Sequence, residues 1–267
     1  MFRSPGGAVN LKGKIVSTIA FSFLESSCEA IWAAVSSVLL PPTCCLCGMR
    51  GESRQLDLCE VCATLLPLNR EPHSRPQSEC PAVVRVIAPF EYAYPVDAWV
   101  RALKFGGERV YARVLGVLVA RARAALQAAV PELATLPTLI VPIPLHAARY
   151  RERGFNQAEE IARVAARTLR IPVDAQALVR RIATREQSGL SMRKRRKNVR
   201  RAFAAMRPLA ASHVALVDDV VTTGSTALAA ARALAERGVR QVEVWAAAEA
   251  VLTRASRTAA STHSMAH

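Results

Sequence analysis

From residue 83 onward the apolar positions switch between two periods. Val83–Ala88, Leu139–Ile143, Val214–Val217 and Val242–Ala247 are short aliphatic runs that predict buried strands. Val96–Leu103, Glu108–Ala129, Asn156–Leu169 and Leu228–Arg237 carry apolar residues at helical spacing, and Gly238 closes the last of them. Strands alternating with helices of about ten residues or more predict a mostly parallel sheet with helices on both faces.

Upstream the pattern weakens. Residues 1–40 read as an extension followed by an amphipathic helix, with Ile31, Trp32, Val35, Val38 and Leu39 on one stripe, which belongs on the protein's own core rather than on a membrane. Pro41-Pro42 stops that helix. The expected domain order is then a cysteine module over 41–68, a Pro-rich polar linker without packed structure over 69–82, the main domain over 83–253 and a disordered Ser/Thr/Ala tail over 254–267.

Composition narrows the partners. Across 267 residues, 36 Lys and Arg face 21 Asp and Glu, a formal charge of +15, which points to a polyanion, either nucleic acid or a phosphorylated small molecule. No apolar run reaches spanning length, because Glu25 and Glu29 interrupt the one between Ile15 and Leu40. The seven cysteines, odd in number and clustered, do not read as a secreted disulfide framework, so the expectation is a cytoplasmic protein.

Four of those cysteines form two pairs of the same spacing, Cys44-x-x-Cys47 and Cys59-x-x-Cys62. Each pair sets two thiolates on one turn, and two turns supply the four sulfurs of a tetrahedral Zn²⁺ site. In so short a module a metal replaces the missing hydrophobic core. Cys28, Cys45 and Cys80 have no partner by spacing.

The densest chemistry lies in Val214-Ala-Leu-Val-Asp218-Asp219-Val-Val-Thr222-Thr223-Gly224-Ser225-Thr226. A helix that starts near Gly224 offers free backbone N–H groups and a positive dipole end to an anion. The hydroxyls of Thr222, Thr223, Ser225 and Thr226 add donors. Asp218 and Asp219 repel a phosphate but accept hydrogen bonds from sugar hydroxyls, and they suit Mg²⁺. Together they suggest a ribose-5-phosphate derivative; the plainer reading is an Asp-Asp turn before a capped helix.

Two basic segments join this loop. The stretch Val141-Pro-Ile-Pro-Leu-His146 through Arg149, Arg151, Arg153 and Asn156 follows a strand, so it belongs at the same sheet edge. Three arginines at alternate positions of a loop can grip a pyrophosphate, and Lys104, before Gly106-Gly107, adds a cation at a helix end. Further on, Arg193–Arg201 holds seven basic residues in nine, after a polar stretch from Thr184 to Ser191. It reads as a flexible basic loop over a pyrophosphate or as a grip on a nucleic-acid backbone.

Taken in order, the two CxxC pairs, Leu-Lys-Phe-Gly-Gly, Val-Pro-Ile-Pro-Leu-His with Arg-Gly-Phe-Asn-Gln, Thr-Arg-Glu-Gln with Asn-Val-Arg-Arg-Ala-Phe, and Val-Asp-Asp-Val-Val-Thr-Thr-Gly-Ser-Thr resemble the ComF/GntX family over roughly residues 38–250. These are phosphoribosyltransferase-like proteins with an N-terminal zinc ribbon, linked to bacterial competence and DNA utilisation. The resemblance implies an α/β type I phosphoribosyltransferase-like fold, a mostly parallel sheet flanked by helices, with a small double zinc ribbon-like module ahead of it. It implies that Asp218 and Asp219 meet the ribose of 5-phosphoribosyl-1-pyrophosphate (PRPP), with Mg²⁺. Thr222, Thr223, Gly224, Ser225 and Thr226 would hold the 5′-phosphate, and Lys104, Arg149, Arg151 and Arg153 the pyrophosphate. Gln187, Arg193 and Arg196 would lie in the flexible loop. Many relatives carry further CxxC pairs after the first set, where this chain keeps only Cys80. Two functions remain: a phosphoribosyltransferase of unknown acceptor, or a DNA-handling protein, with single-stranded DNA and DNA-processing proteins as partners, whose PRPP site is regulatory or vestigial.

Overall fold

Four largely buried strands, two of them nine residues long, lie side by side and carry the rest of the molecule. The computed structural model describes residues 43–51, 56–74, 80–182 and 202–250. The expected helix before Pro41, the loop residues Gln187, Arg193 and Arg196, and the tail lie outside the described residues. Among the described residues, β1 is His73–Ser74, β2 Val83–Ile87, β3 Phe90–Glu91, β4 Leu139–Pro142, β5 Leu178–Arg180, β6 Phe203–Ala205, β7 His213–Val221 and β8 Gln241–Glu249. The helices are α1 Glu60–Thr64, α2 Val96–Arg101, α3 Val110–Ala129, α4 Ala147–Arg153, α5 Gln157–Leu169 and α6 Ser225–Ala235.

The sheet runs β1-β2-β8-β7-β4, with β3 also on β8. All of its pairings are parallel except β1 on β2. Beyond β4, Val173 makes one more parallel bridge to Ile140. Alternation along the central strands sorts the core into two layers. Ala215, Val217, Trp245 and Ala247 face α3 and α5, while Val214, Leu216, Val242, Val244 and Ala246 face α6 and the β5–β6 hairpin. Helices therefore cover both faces, as the run-and-period pattern predicts. Helices α3 and α5 touch at Gly116, where a β-carbon would come within 2.6 Å of Val164 and 2.8 Å of the Ile161 carbonyl oxygen. The cysteine module joins the α3/α5 layer through Cys44, Leu56, Leu58, Cys62 and Leu66. Arg113 of α3 ties it down by donating Nε to Asp57 Oδ2 at 2.6 Å.

Several elements depart from the expectation. Strand β7 extends to Val221, so Asp218 and Asp219 lie inside a strand and do not close one. The linker is partly ordered: His73 and Ser74 pair with β2, and Asn69 donates its side chain to the Ala88 carbonyl and to Glu249. Backbone pairing wins there because β2 would otherwise be an open sheet edge. The helix expected over Val96–Leu103 ends as an α-helix at Arg101 and continues as a π-helical turn, Ala102–Gly106. The segment expected as an arginine loop is the short helix α4, capped by the His146 side chain.

One backbone feature is unusual. Helix α5 ends with Arg170 at φ 57°, in the left-handed region, with Ile171 N–H bonding back to the Ala166 carbonyl at 3.0 Å. That six-to-one bond is the Schellman ending, which normally takes glycine. A side chain there costs about 1 kcal/mol.

Candidate functional site

The helices that follow neighbouring strands β4 and β7 go to opposite faces, α5 to one and α6 to the other. A crevice opens at such a switch point, beyond the carboxyl ends of the strands. Its floor is built by continuity of the chain. Ile143 continues β4 by donating its N–H to the Val217 carbonyl at 2.9 Å. Asn156 caps α5 by accepting from Ala158 N–H and donates its own amide to the Ile143 carbonyl, both at 3.1 Å. The segment after β4 is thus fixed against β7 at one end and against the start of α5 at the other.

The two acids sit at the mouth of this crevice. Asp219 is 4% exposed and Asp218 half-buried. Each is held by the strand itself: Asp218 Oδ1 accepts from Asp219 N–H at 2.9 Å, and Asp219 Oδ1 from Val220 N–H at 2.8 Å. Lys104 Nζ lies 2.5 Å from Asp219 Oδ2. Burial, then the neighbouring Asp219 charge, push the Asp218 carboxyl well above the ordinary carboxylate range.

A ring of cations faces them. Burial lowers the Arg153 and Arg180 guanidinium pKa values; Asp219 opposes this at Arg153, Asp218 at Arg180, and Arg149 repels both. Arg153 donates to Gln157 Oε1 at 2.6 Å and lies over the exposed Phe105 ring, 5.6 Å from its centroid. Lys104, Arg149 and Arg153 are therefore brought together, and Arg151 is not tied to them by any contact among the described residues. Helical period explains this. Residues 149 and 153 are four apart and share a face, whereas 151, two apart, points away. The alternate-position reading assumed an extended loop.

Arg180 is the residue the sequence reading missed. It lies in β5, with Phe203 of β6 under its guanidinium at 5.4 Å to the ring centroid. The alternation Leu178-Val179-Arg180 opposite Phe203–Ala205 was the available signal, overshadowed by the denser basic run beyond it.

On the other side of the acids the chain turns into α6. Gly224 is the N-cap at φ 68°, and no side chain caps the helix, so N–H groups of its first turn stay open. The left-handed conformation requires glycine here. Thr223 Oγ1 bonds Ser225 Oγ at 3.0 Å and accepts weakly from Ser225 N–H at 3.4 Å, with Thr222 exposed beside them. A dipole end, open N–H groups and hydroxyls now adjoin two carboxylates and four cations. This arrangement can hold a ligand with phosphates at two ends and hydroxyls between.

The cysteine site is separate. The thiol sulfurs of Cys44, Cys47, Cys59 and Cys62 all lie within 4.8 Å of one another. Cys47 and Cys59 are 3.7 Å apart, and a tetrahedron with bonds of about 2.3 Å has edges of about 3.8 Å. The set fits a metal ion such as zinc. Burial pushes the Cys44 thiol up, but hydrogen bonds from the backbone of Cys59, Cys47 and Leu46 outweigh it and bring it to about 6. Cys45 stays outside the set; burial, then the Cys44 charge, raise it to about 12. Cys80 packs in the core layer on the opposite face of the sheet.

Fold and sites together define a mixed α/β protein with a mostly parallel sheet, a cysteine cluster near its N-terminus and an acid pair ringed by cations at the switch point. The chain belongs to the ComF family. It is 33% identical over 226 residues to DNA utilization protein YhgH of Salmonella typhimurium, covering 77% of this chain and 96% of that protein. The same protein of Escherichia coli K12 is 33% identical over the same length. Competence protein F of Haemophilus influenzae is 30% identical over 211 residues, 76% of this chain and 89% of its own. No family model matches the chain. No helix among the described residues is long and apolar enough to cross a membrane.

Proposed function

We propose that the switch-point crevice binds PRPP, on a type I phosphoribosyltransferase-like fold. The observation that carries this reading is the acid pair set between an open helix N-terminus and the cation ring. Thr222, Thr223, Ser225, Thr226 and the first-turn N–H groups around Gly224 hold the 5′-phosphate. Asp218 and Asp219 accept from the ribose hydroxyls. Lys104, Arg149, Arg153 and Arg180 face the pyrophosphate, and Arg151 sits at the rim. Displacement of pyrophosphate from C1 builds positive character on the sugar and negative charge on the leaving group. The chain's part is to orient the ribose phosphate and to neutralise that charge with fixed cations.

Mg²⁺ fits this donor set through one residue. Both oxygens of Asp219 are engaged, by Val220 N–H and Lys104, whereas Asp218 makes no ion pair among the described residues. Asp218 would hold the ion together with the ligand's own oxygens, and the ion would neutralise the leaving pyrophosphate. The four cysteines are read as a structural zinc site. Metal content measured by native mass spectrometry tests it, with one zinc expected per chain and none in Cys47→Ser.

A second reading is favoured by the relatives' names and by the +15 charge. In it, the chain is a cytoplasmic DNA-utilisation or competence protein that handles single-stranded DNA alongside DNA-processing proteins, and PRPP regulates it. Calorimetric titration with PRPP and Mg²⁺, together with pyrophosphate release in the presence of nucleobases, separates the two. Binding with release supports the transferase, and binding without release for any base supports the DNA-handling protein. A wild type that fails to bind PRPP refutes the ligand assignment.

A further inference from the structure

About 20 Å away along the 13 residues of α5, at the other end of the sheet, the helix ending forms a second basic feature. Arg163, Ala166, Arg167, Arg170, Ile171, Pro172 and Val173 line an open cleft of about 540 Å³. Three of these seven are arginines and none is acidic. Arg163 pairs with Glu159 at 2.6 Å, but among the described residues no carboxylate pairs with Arg167 or Arg170. The floor is apolar, with Ala166 and Ile171 buried.

The helix dipole accounts for a cation at Arg167. It does not account for Arg170, which occupies the left-handed position that a Schellman ending gives to glycine. A residue kept in a strained conformation beside a cleft points to a use for its side chain. Arg163, Arg167 and Arg170 span seven positions, about 10.5 Å along the helix direction, so they form a short row of cations on which a polyanionic backbone can lie.

We infer that this cleft holds the phosphodiester backbone of a single DNA strand, with Arg170 placed for it at the expense of the helix ending. The inference rests on the DNA-handling reading and is independent of PRPP. Arg167 and Arg170, which no carboxylate pairs among the described residues, each neutralise one phosphate, so each contributes to affinity and to its salt dependence, while Arg163 stays on Glu159.

The test is fluorescence anisotropy with a labelled oligothymidylate over a salt series from about 50 mM to about 300 mM. It uses the full chain with Lys194, Arg195, Arg196 and Lys197 replaced by Ala, so that the densest basic run cannot mask the cleft. In that background Arg167→Ala/Arg170→Gly should weaken binding on the order of fiftyfold at about 50 mM salt and reduce the logarithmic salt slope by about 1.4. Arg170→Gly alone should raise the melting temperature while weakening binding. Affinity and slope unchanged in the double variant would overturn the inference while leaving the DNA-handling reading standing. A lowered melting temperature for Arg170→Gly would remove its premise. If the unsubstituted chain does not bind the strand at all, the DNA-handling reading fails, and the cleft assignment with it.

Discussion

Two buried carboxylate sites lie on the same pair of central strands, and the protein treats them in opposite ways. Glu243 of β8 is 1% exposed, and its two oxygens accept from Arg123 Nε at 2.7 Å, Arg123 Nη2 at 2.9 Å and Trp245 Nε1 at 2.7 Å, with His213 Nε2 3.1 Å away. Burial raises its pKa, but His213, Arg123 and Trp245 overcome that and hold it below the ordinary value. Three register positions further along, Asp218 meets its own strand and a second carboxylate, and its pKa rises. Glu243 is the more deeply buried of the two, Asp218 being half-buried, so burial alone would push Glu243 up further. The difference lies in countercharge: Arg123 and His213 meet Glu243 directly, whereas Asp218 makes no ion pair among the described residues and feels Lys104 and Arg180 only through space. Unfilled demand of that kind at a crevice marks a site.

Removing the compensation should bring the first site to ruin. Arg123→Leu leaves Glu243 charged in the core with only Trp245 and the partly exposed His213 beside it, and should cost about 3–5 kcal/mol in urea unfolding. Arg123→Met/Glu243→Leu, with no buried charge, should recover most of it. Recovery that fails would mean the pair positions the fold rather than merely neutralising itself.

The same surgery at the other site should have the opposite sign. Asp218→Asn should raise the melting temperature at neutral pH, because it removes a charge that burial disfavours. It should also weaken PRPP in calorimetry by about ten- to a hundredfold, the worth of one or more hydrogen bonds to a charged group. A destabilised Asp218→Asn would show that the acid is compensated after all.

The pH dependence of stability should likewise split. Glu243 titrates below its ordinary 4.5 in the folded state, so its contribution is present above that value and is lost as pH falls through the folded pKa. Asp218 titrates above its ordinary 3.8, so its contribution is fullest below that value and is lost as pH rises through the folded pKa. Melting temperatures across pH should show Glu243→Gln flattening the acid limb and Asp218→Asn the limb above it, each by at most about 1.4 kcal/mol per pH unit. The smallest effect belongs to His213→Gln, whose ring is partly exposed: about 0.5–1.5 kcal/mol by urea unfolding, with the Arg123 fork intact.

Much of the candidate site was legible because its signals are local. Gly224 with its hydroxyl neighbours spells a helix start, and the equal spacing of Cys44/Cys47 and Cys59/Cys62 spells two matching turns. Arg149, Arg151 and Arg153 were legible only as basic. Whether three alternating arginines converge depends on whether their backbone is extended or helical, and a His146 cap decides that. Arg180 reaches the acids across a hairpin whose far strand lies more than twenty positions away, and no local pattern announces such a contact.

The chain by itself determined the layers. Periods of two and 3.6 residues set strands and helices, apolar runs set the core, and paired cysteines set the metal-fitting cluster, because each depends on neighbours within a few positions. Only the tertiary structure decided which charges meet. Arg123 finds Glu243 across 120 positions, and Lys104 finds Asp219 through a π-helical turn that no period foretells. Coulomb energy depends on distance and burial, and both are properties of the folded molecule rather than of the order of residues.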